Sequence, residues 1–178
     1  DTTMKWKKPR AVLRLDGRFL SNLGAGTAMF AGCGKAEYDE IALPVQNVAD
    51  TDILDLDKGY GYVLEDPSDC GILAYGAVVF DGEPTYDVID GKWLSNKPFV
   101  VVHRQATART LMGHGLGAEF LKNVESLAAS RGIEAFRIDT NYDNRYMLRL
   151  LEKQGFSYCG VITLRSGDKR MAFEKEIY

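Results

Sequence analysis

Two short segments of the chain are built to bind or react rather than only to fold. The first is Met112-Gly113-His114-Gly115-Leu116-Gly117. It comes after the apolar run Phe99–Ala106 and opens a stretch with helical spacing. Such a turn aims backbone N–H groups and the positive end of a helix dipole at one point, which suits a pyrophosphate. Glycine there removes the Cβ that would hold a ligand away from the backbone. A Walker loop needs Gly-Lys-Ser/Thr after the cradle, and here the chain continues Gly117-Ala118-Glu119 instead. A dinucleotide fingerprint is met in spacing by Gly113, Gly115 and Ala118, with Asp139 near the ribose distance. That fingerprint normally opens a parallel sheet, whereas this one comes late, after antiparallel strands. A turn serving only tight strand–helix packing is the remaining reading.

The second segment is Asp143-Asn144-Arg145-Tyr146-Met147-Leu148-Arg149-Leu150-Leu151-Glu152-Lys153-Gln154-Gly155-Phe156. It lies one strand beyond the helix that the glycine turn opens.

Several elements must position these segments. Tyr60–Glu65 alternates as a strand, Asp66–Asp69 turns, and Ile72–Phe80 is a second strand rich in Val and aromatics. Asp81–Lys97, with Gly, Pro, Asp and Asn, reads as a long connecting loop in which Tyr86 and Trp93 could cover an acceptor. Phe99–Ala106 is a strand whose apolar start predicts burial on both faces. Next is a helix to about Arg131, with Phe120, Leu121, Val124, Leu127 and Ala128 at helical spacing and Gly132 as its stop. Ala135–Thr140 is a strand. Asp143 or Asn144 caps a helix to Gln154, closed by Gly155. Tyr158–Leu164 and Arg170–Ile177 form a hairpin-like pair.

The order β-β-β-α-β-α-β-β contains one right-handed crossover between parallel strands. We expect an α/β fold with a mixed, mostly antiparallel twisted sheet and helices on both faces. Residues 1–50 are less regular: Ala11–Leu15 is strand-like, Asp16-Gly17 turns and Arg18–Leu20 could return. Gly24, Gly26, Gly32 and Gly34 point to a loop or broken helices.

Taken together, the two segments resemble the GNAT superfamily of acyl-CoA N-acyltransferases. That family carries a Q/R-x-x-G-x-G/A cradle at a strand–helix junction, then a strand, an Asn-capped helix and a closing Gly-Phe. The resemblance covers about residues 52–178, with residues 99–156 as the cofactor-binding core of a single domain, 1–178. It implies acetyl-CoA as co-substrate, with no metal. It implies pyrophosphate on the backbone of Met112, Gly113, His114, Gly115, Leu116, Gly117 and Ala118. The pantetheine arm would lie along Gln105, Ala106 and Thr107, and Asn144 would hydrogen-bond it. Met112 stands where the family has Gln or Arg; His114 and Arg109 are the candidates to replace that contact. Leu151 stands where many members have a Tyr that protonates the departing thiolate. Residues 1–50 do not look like the strand and two helices that usually open the family.

The activity implied is transfer of acetyl to a primary amine by direct attack on the thioester. An amine with pKa near ~10.4 must lose a proton first. His103 is our candidate base, because it lies on the strand leading to the cofactor segment, some branches of the family use His or Glu there, and imidazole titrates near neutrality. Glu65 and Asp139 are reserves. Tyr146 and Tyr158 are candidate proton donors to the thiolate, which needs little help as a leaving group. The alternatives are a non-catalytic CoA or acyl-CoA binding module and a nicotinamide-dependent oxidoreductase.

Composition bounds these readings. The chain has 178 residues, 46% hydrophobic and 26% charged, the balance of one globular domain. A net charge of −3 argues against a nucleic-acid partner. No apolar run approaches the ~20 residues of a membrane span. The basic start through Arg10 makes a poor signal peptide, because Arg14, Asp16 and Arg18 interrupt the apolar residues after it. Three scattered cysteines, Cys33, Cys70 and Cys159, fit the cytoplasm and no metal cluster. The expected partner is a small-molecule or peptide amine, with a homodimer in keeping with many relatives.

Overall fold

In a computed structural model, the described residues are 60–65, 72–108 and 111–178, together with the backbone of four strands before them. Those strands are β1 (Val12–Leu15), β2 (Phe19–Leu20), β3 (Thr27–Ala31) and β4 (Tyr38–Ala42). Then come β5 (Gly61–Glu65), β6 (Ile72–Val79), a 3-10 turn (Pro84–Tyr86), β7 (Ile89–Gly91) and β8 (Phe99–Thr107). Helix α1 (Leu116–Ser130), β9 (Ala135–Thr140), α2 (Arg145–Lys153), β10 (Ser157–Thr163) and β11 (Lys169–Glu176) complete the order.

The chain forms two compact units, Asp1–Tyr75 with Ala106–Phe120, and Gly76–Gln105 with Leu121–Tyr178. In the first unit β1 pairs antiparallel with β5, and β2, β3 and β4 form a separate antiparallel sheet. The stretch read from its glycines as loop or broken helix therefore contains strand β3. Thr27–Ala31 is a glycine-free run between glycine pairs, and its pairing with β4 outweighs the flanking composition.

In the second unit the sheet runs β6-β8-β9-β11-β10-β7. Strands β8 and β9 are parallel, while β11 pairs antiparallel with both β9 and β10. This is the mixed sheet expected from the element order. Val100, Val101 and Val102 are consecutive and all buried, so this part of β8 is covered on both faces. On β9, Phe136 packs edge-on against Phe156 at 5.1 Å, a residue just beyond the end of α2. Arg137 and Asp139 alternate to the opposite face.

Helix α1 buries Leu121, Val124 and Ala128 on one stripe, as the spacing predicts. It closes where Ile133 N donates to Ala128 O and Gly132 N to Ala129 O. Helix α2 starts at Asn144, whose side chain accepts from Met147 N, and closes the same way through Phe156 N to Leu151 O. Leu151 is fully buried core.

Residues 81–97 are more structured than their composition suggests. They hold the 3-10 turn and β7, which pairs antiparallel with β10 through Ile89↔Ile162, Asp90↔Val161 and Gly91↔Gly160. A three-residue strand of Ile-Asp-Gly has little intrinsic preference for extension; the pairing partner supplies it. No described helix is long and apolar enough to cross a membrane.

Candidate active site

His103 sits on β8 near where that strand leaves its parallel neighbour. The β8–β9 register runs Phe99↔Ala135, Val100↔Phe136 and Val101↔Arg137, while β8 continues to Thr107. One residue beyond His103, Arg104 has φ 54, the one non-glycine residue with positive φ among those described. Backbone held in this sparsely used region costs about 1 kcal/mol or more and marks a place where the strand is re-aimed.

Around His103 the second unit assembles a cluster of four polar side chains. His103 Nε2 lies 2.9 Å from Glu83 Oε2. Its Nδ1 lies 4.0 Å from Asp139 Oδ1. Tyr86 donates its hydroxyl to the same Asp139 oxygen at 2.5 Å. Glu83 caps the 3-10 turn, its Oε1 accepting from Thr85 N at 3.1 Å and Thr85 Oγ at 2.7 Å. The His103 hydrogen bond, supported by those from Thr85 and opposed by burial, holds the Glu83 carboxyl down at about 2. Burial, and then the charge of Asp139, push the Tyr86 phenol well above its ordinary value.

The segment that carries Glu83 and Tyr86 is tied down at several points. Tyr86 is 2% exposed, with its ring 5.2 Å from Trp93 and 6.2 Å from Phe99. Trp93 Nε1 donates to Tyr86 O. Leu94 N and Ser95 Oγ both donate to Glu174, a carboxylate with no exposed surface. Arg137 lies 3.5 Å from Glu174, donates to Ser95 O at 2.7 Å, and has its guanidinium over the rings of both Trp93 and Phe99. Burial pulls the Arg137 guanidinium below its ordinary value, and Glu174 opposes that. Tyr86 and Trp93, the two aromatics read as able to cover an acceptor, pack on each other, and Tyr86 lies edge-on to His103 with ring centroids 6.4 Å apart.

The glycine turn belongs to the first unit. Ala108 N donates to Leu73 O, Leu111 N to Ala108 O, and His114 N to Leu111 O, which bends the chain toward α1. Gly113 and Gly115 have φ 84 and 77, and a Cβ built on either meets nothing within 4 Å. Here glycine answers a backbone requirement, and the space beside it stays open. The first hydrogen bond of α1 closes from Glu119 N to Gly115 O, and the opening turn of a helix is where N–H groups lack intrahelical partners. Met112, Gly113, His114 and Gly115 are exposed, while Leu116 is buried.

Of the other sequence candidates, Gln105, Ala106 and Thr107 finish β8, and Asn144 caps α2. Tyr146 and Tyr158 are 62% and 54% exposed, and Tyr158 stacks edge-on against Phe173. Asp139 joins the cluster. The side chain of Glu65, and all of Arg109, lie outside the described residues. Sequence reasoning did not single out Glu83; no motif marks it, and only its 20-residue jump to His103 reveals a role. Among the described residues, no group of His, Cys, Asp and Glu could hold a metal.

Comparison with known proteins bears on these two groups of residues. The model of the acetyltransferase (GNAT) family matches residues 33–156. A GNAT-family acetyltransferase from Streptococcus agalactiae 2603 is 33% identical, with a TM-score of 0.60, over 71% of this chain and 70% of that one. A protein described as an acetyltransferase from Staphylococcus aureus Mu50 is 26% identical, with a TM-score of 0.54, over 72% of this chain and 79% of that one. A GNAT-family acetyltransferase from Listeria monocytogenes 4b F2365, 16% identical over 71% of this chain and 70% of that one, shares the fold with a TM-score of 0.56. No protein of curated function matches the sequence. The chain belongs to the acetyltransferase (GNAT) family.

Proposed function

We propose that this acetyltransferase, a single domain over residues 1–178, moves acetyl from acetyl-CoA to a primary amine by direct attack on the thioester. The observation that carries the reading is the departure of β8 from β9 after Val101, with the positive φ of Arg104 just beyond it. An extended pantetheine arm adds to such a strand as β-strands add to a sheet edge, alongside Gln105, Ala106 and Thr107. The backbone of Met112 to Ala118 takes the pyrophosphate, and the Asn144 side-chain amide donates to the arm. No metal is required by this chemistry.

His103 is the base. The amine must shed a proton before its lone pair attacks the thioester carbonyl carbon. The C–S bond then breaks and its electron pair leaves on sulfur. A thiolate is a fair leaving group, which makes a buried Leu151 tolerable where relatives carry an acid; Tyr146 remains the candidate donor on α2. We place the reaction in the cytoplasm, on a small-molecule or peptide amine.

Calorimetric titration with acetyl-CoA, with CoA and NADH as controls, tests the reading. Micromolar binding of acetyl-CoA, lost in Gly115→Leu, and then acetylation in an amine screen, is the expected result. Absence of acetyl-CoA binding at millimolar concentration sinks it. Binding without turnover of any amine leaves a CoA-binding module in its place, and preference for NADH leaves an oxidoreductase.

A further inference from the structure

We propose that Glu83 fixes the tautomer of His103 so that Nδ1 is its basic nitrogen, and that Nδ1 and Asp139 Oδ1 together seat the acceptor's ammonium group. This rests on the amine-acetylating reading above and deepens it.

The tautomer is set by hydrogen-bond accounting. Both Thr85 donors occupy Glu83 Oε1, so the carboxylate cannot turn, and Oε2 is left facing His103 Nε2 at 2.9 Å. An ionised carboxylate only accepts. The hydrogen between them therefore sits on Nε2, and the neutral ring carries its lone pair on Nδ1.

The seat is set by a distance. Nδ1 and Asp139 Oδ1 are 4.0 Å apart, too far to bond each other. One ammonium nitrogen can lie at about 2.9 Å from both, donating one N–H to each. Asp139 cannot swing to close the gap, because Tyr86 donates to that same oxygen, and Tyr86 is itself clamped by Trp93. The groups facing His103 are Glu83 and Tyr86 from the 81–97 segment and Asp139 from β9. The His103 and Asp139 side chains keep 29% and 13% of their surface exposed, so an amine can reach them.

In this arrangement the ammonium passes one proton to Nδ1, and the imidazolium is held between two carboxylates. The freed lone pair attacks the carbonyl carbon, the nitrogen loses its second proton, and the C–S bond breaks. One of the two protons leaves with the thiolate as the thiol, and the other goes to solvent. Glu83 is thus a positioning residue and Asp139 a specificity residue for a protonated primary amine.

Nitrogen-15 NMR of the imidazoles tests the tautomer without any substrate. There are only two histidines, so the signal set lost in His103→Gln belongs to His103 and the one that remains to His114. The expected result is a pure Nε2–H tautomer of neutral His103, replaced by a mixture in Glu83→Gln. An Nδ1–H tautomer, or a spectrum unchanged in Glu83→Gln, overturns the proposal. The seat is tested by Asp139→Asn in steady-state turnover: KM for the amine rises about 10-fold or more, while the Kd for acetyl-CoA stays within about 2-fold. An unchanged amine KM overturns the seat. If Asp139→Asn does not fold, Asp139→Glu, which displaces the carboxylate by one methylene, is expected to raise KM in the same way. Failure of acetyl-CoA to bind would remove the transferase reading while leaving the tautomer result to stand or fall by itself.

Discussion

Gly91 and Gly160 face each other across β7 and β10 so closely that neither has room for a Cβ. One built on Gly91 would lie 2.8 Å from Gly160 Cα, and one on Gly160 would lie 2.8 Å from Gly91 Cα, each also colliding with a carbonyl oxygen of the other strand. Both have positive φ, 141 and 142. This contact fastens the end of the segment that carries Glu83 and Tyr86.

Gly91→Ala should therefore lower stability by about 2–3 kcal/mol, from backbone strain and overpacking together. Gly82→Ala is the control: Gly82 also has positive φ, 95, but a Cβ there meets nothing within 4 Å. Its cost should be about 1 kcal/mol, from strain alone. Urea denaturation of both variants checks the difference, and equal losses would mean that the close approach is unimportant.

Glu174 has no exposed surface, accepts from Leu94 N and Ser95 Oγ, and faces Arg137. Glu174→Ala strands a buried guanidinium and two donors. A loss of about 3–5 kcal/mol is expected. Glu174→Gln keeps acceptor capacity and should lose less. Thermal unfolding monitored by circular dichroism distinguishes the two.

The Glu83 carboxyl, held at about 2 in the folded chain, titrates nearer 4.5 when unfolded. A depressed carboxyl contributes stability that is fully present above the unfolded value. That contribution is lost as pH falls through the folded one. Stability of the native chain should thus decline between about pH 4.5 and pH 2 more steeply than that of Glu83→Gln. Denaturation midpoints measured across this range provide the check, and parallel curves would contradict the assignment.

His103→Ala should reduce kcat by about 100-fold or more, the usual worth of a positioned base, with acetyl-CoA affinity unchanged. Turnover of the best amine from the screen, paired with calorimetry, measures both. A kcat within a few-fold of the native value would move the base elsewhere.

Asn144 offers a separation of two roles. Its Oδ1 caps α2 by accepting from Met147 N, while its amide is the group we assign to the pantetheine arm. Asn144→Asp keeps the cap and removes the donor. Stability should hold within about 0.5 kcal/mol, and acetyl-CoA should bind about 5- to 10-fold more weakly, the value of one hydrogen bond. Asn144→Ala should lose both.

Outside residues 81–97, sequence alone determined the local elements from Tyr60 onward, because their signals are local. Helix α1 declares itself by Phe120, Leu121, Val124 and Ala128 at one face. Strand β8 does so by an unbroken Val100–Val102 that must be buried on both sides. The glycine turn and the Asn-capped helix were legible for the same reason: each is a short run of chain doing its own geometry, and together they pointed to the family. The wall around His103 was not legible. Ile89-Asp90-Gly91 has no strand preference until β10 pairs with it, and a glycine's need for its neighbour's missing Cβ appears only across 69 residues of chain, between Gly91 and Gly160. The role of Glu83 depends on His103, that of Asp139 on Tyr86, and that of Arg137 on Glu174 and two rings. None of these partners is near in sequence. Tertiary structure decided the cluster around His103, since a side chain's charge, tautomer and reach are set by what lies beside it in space.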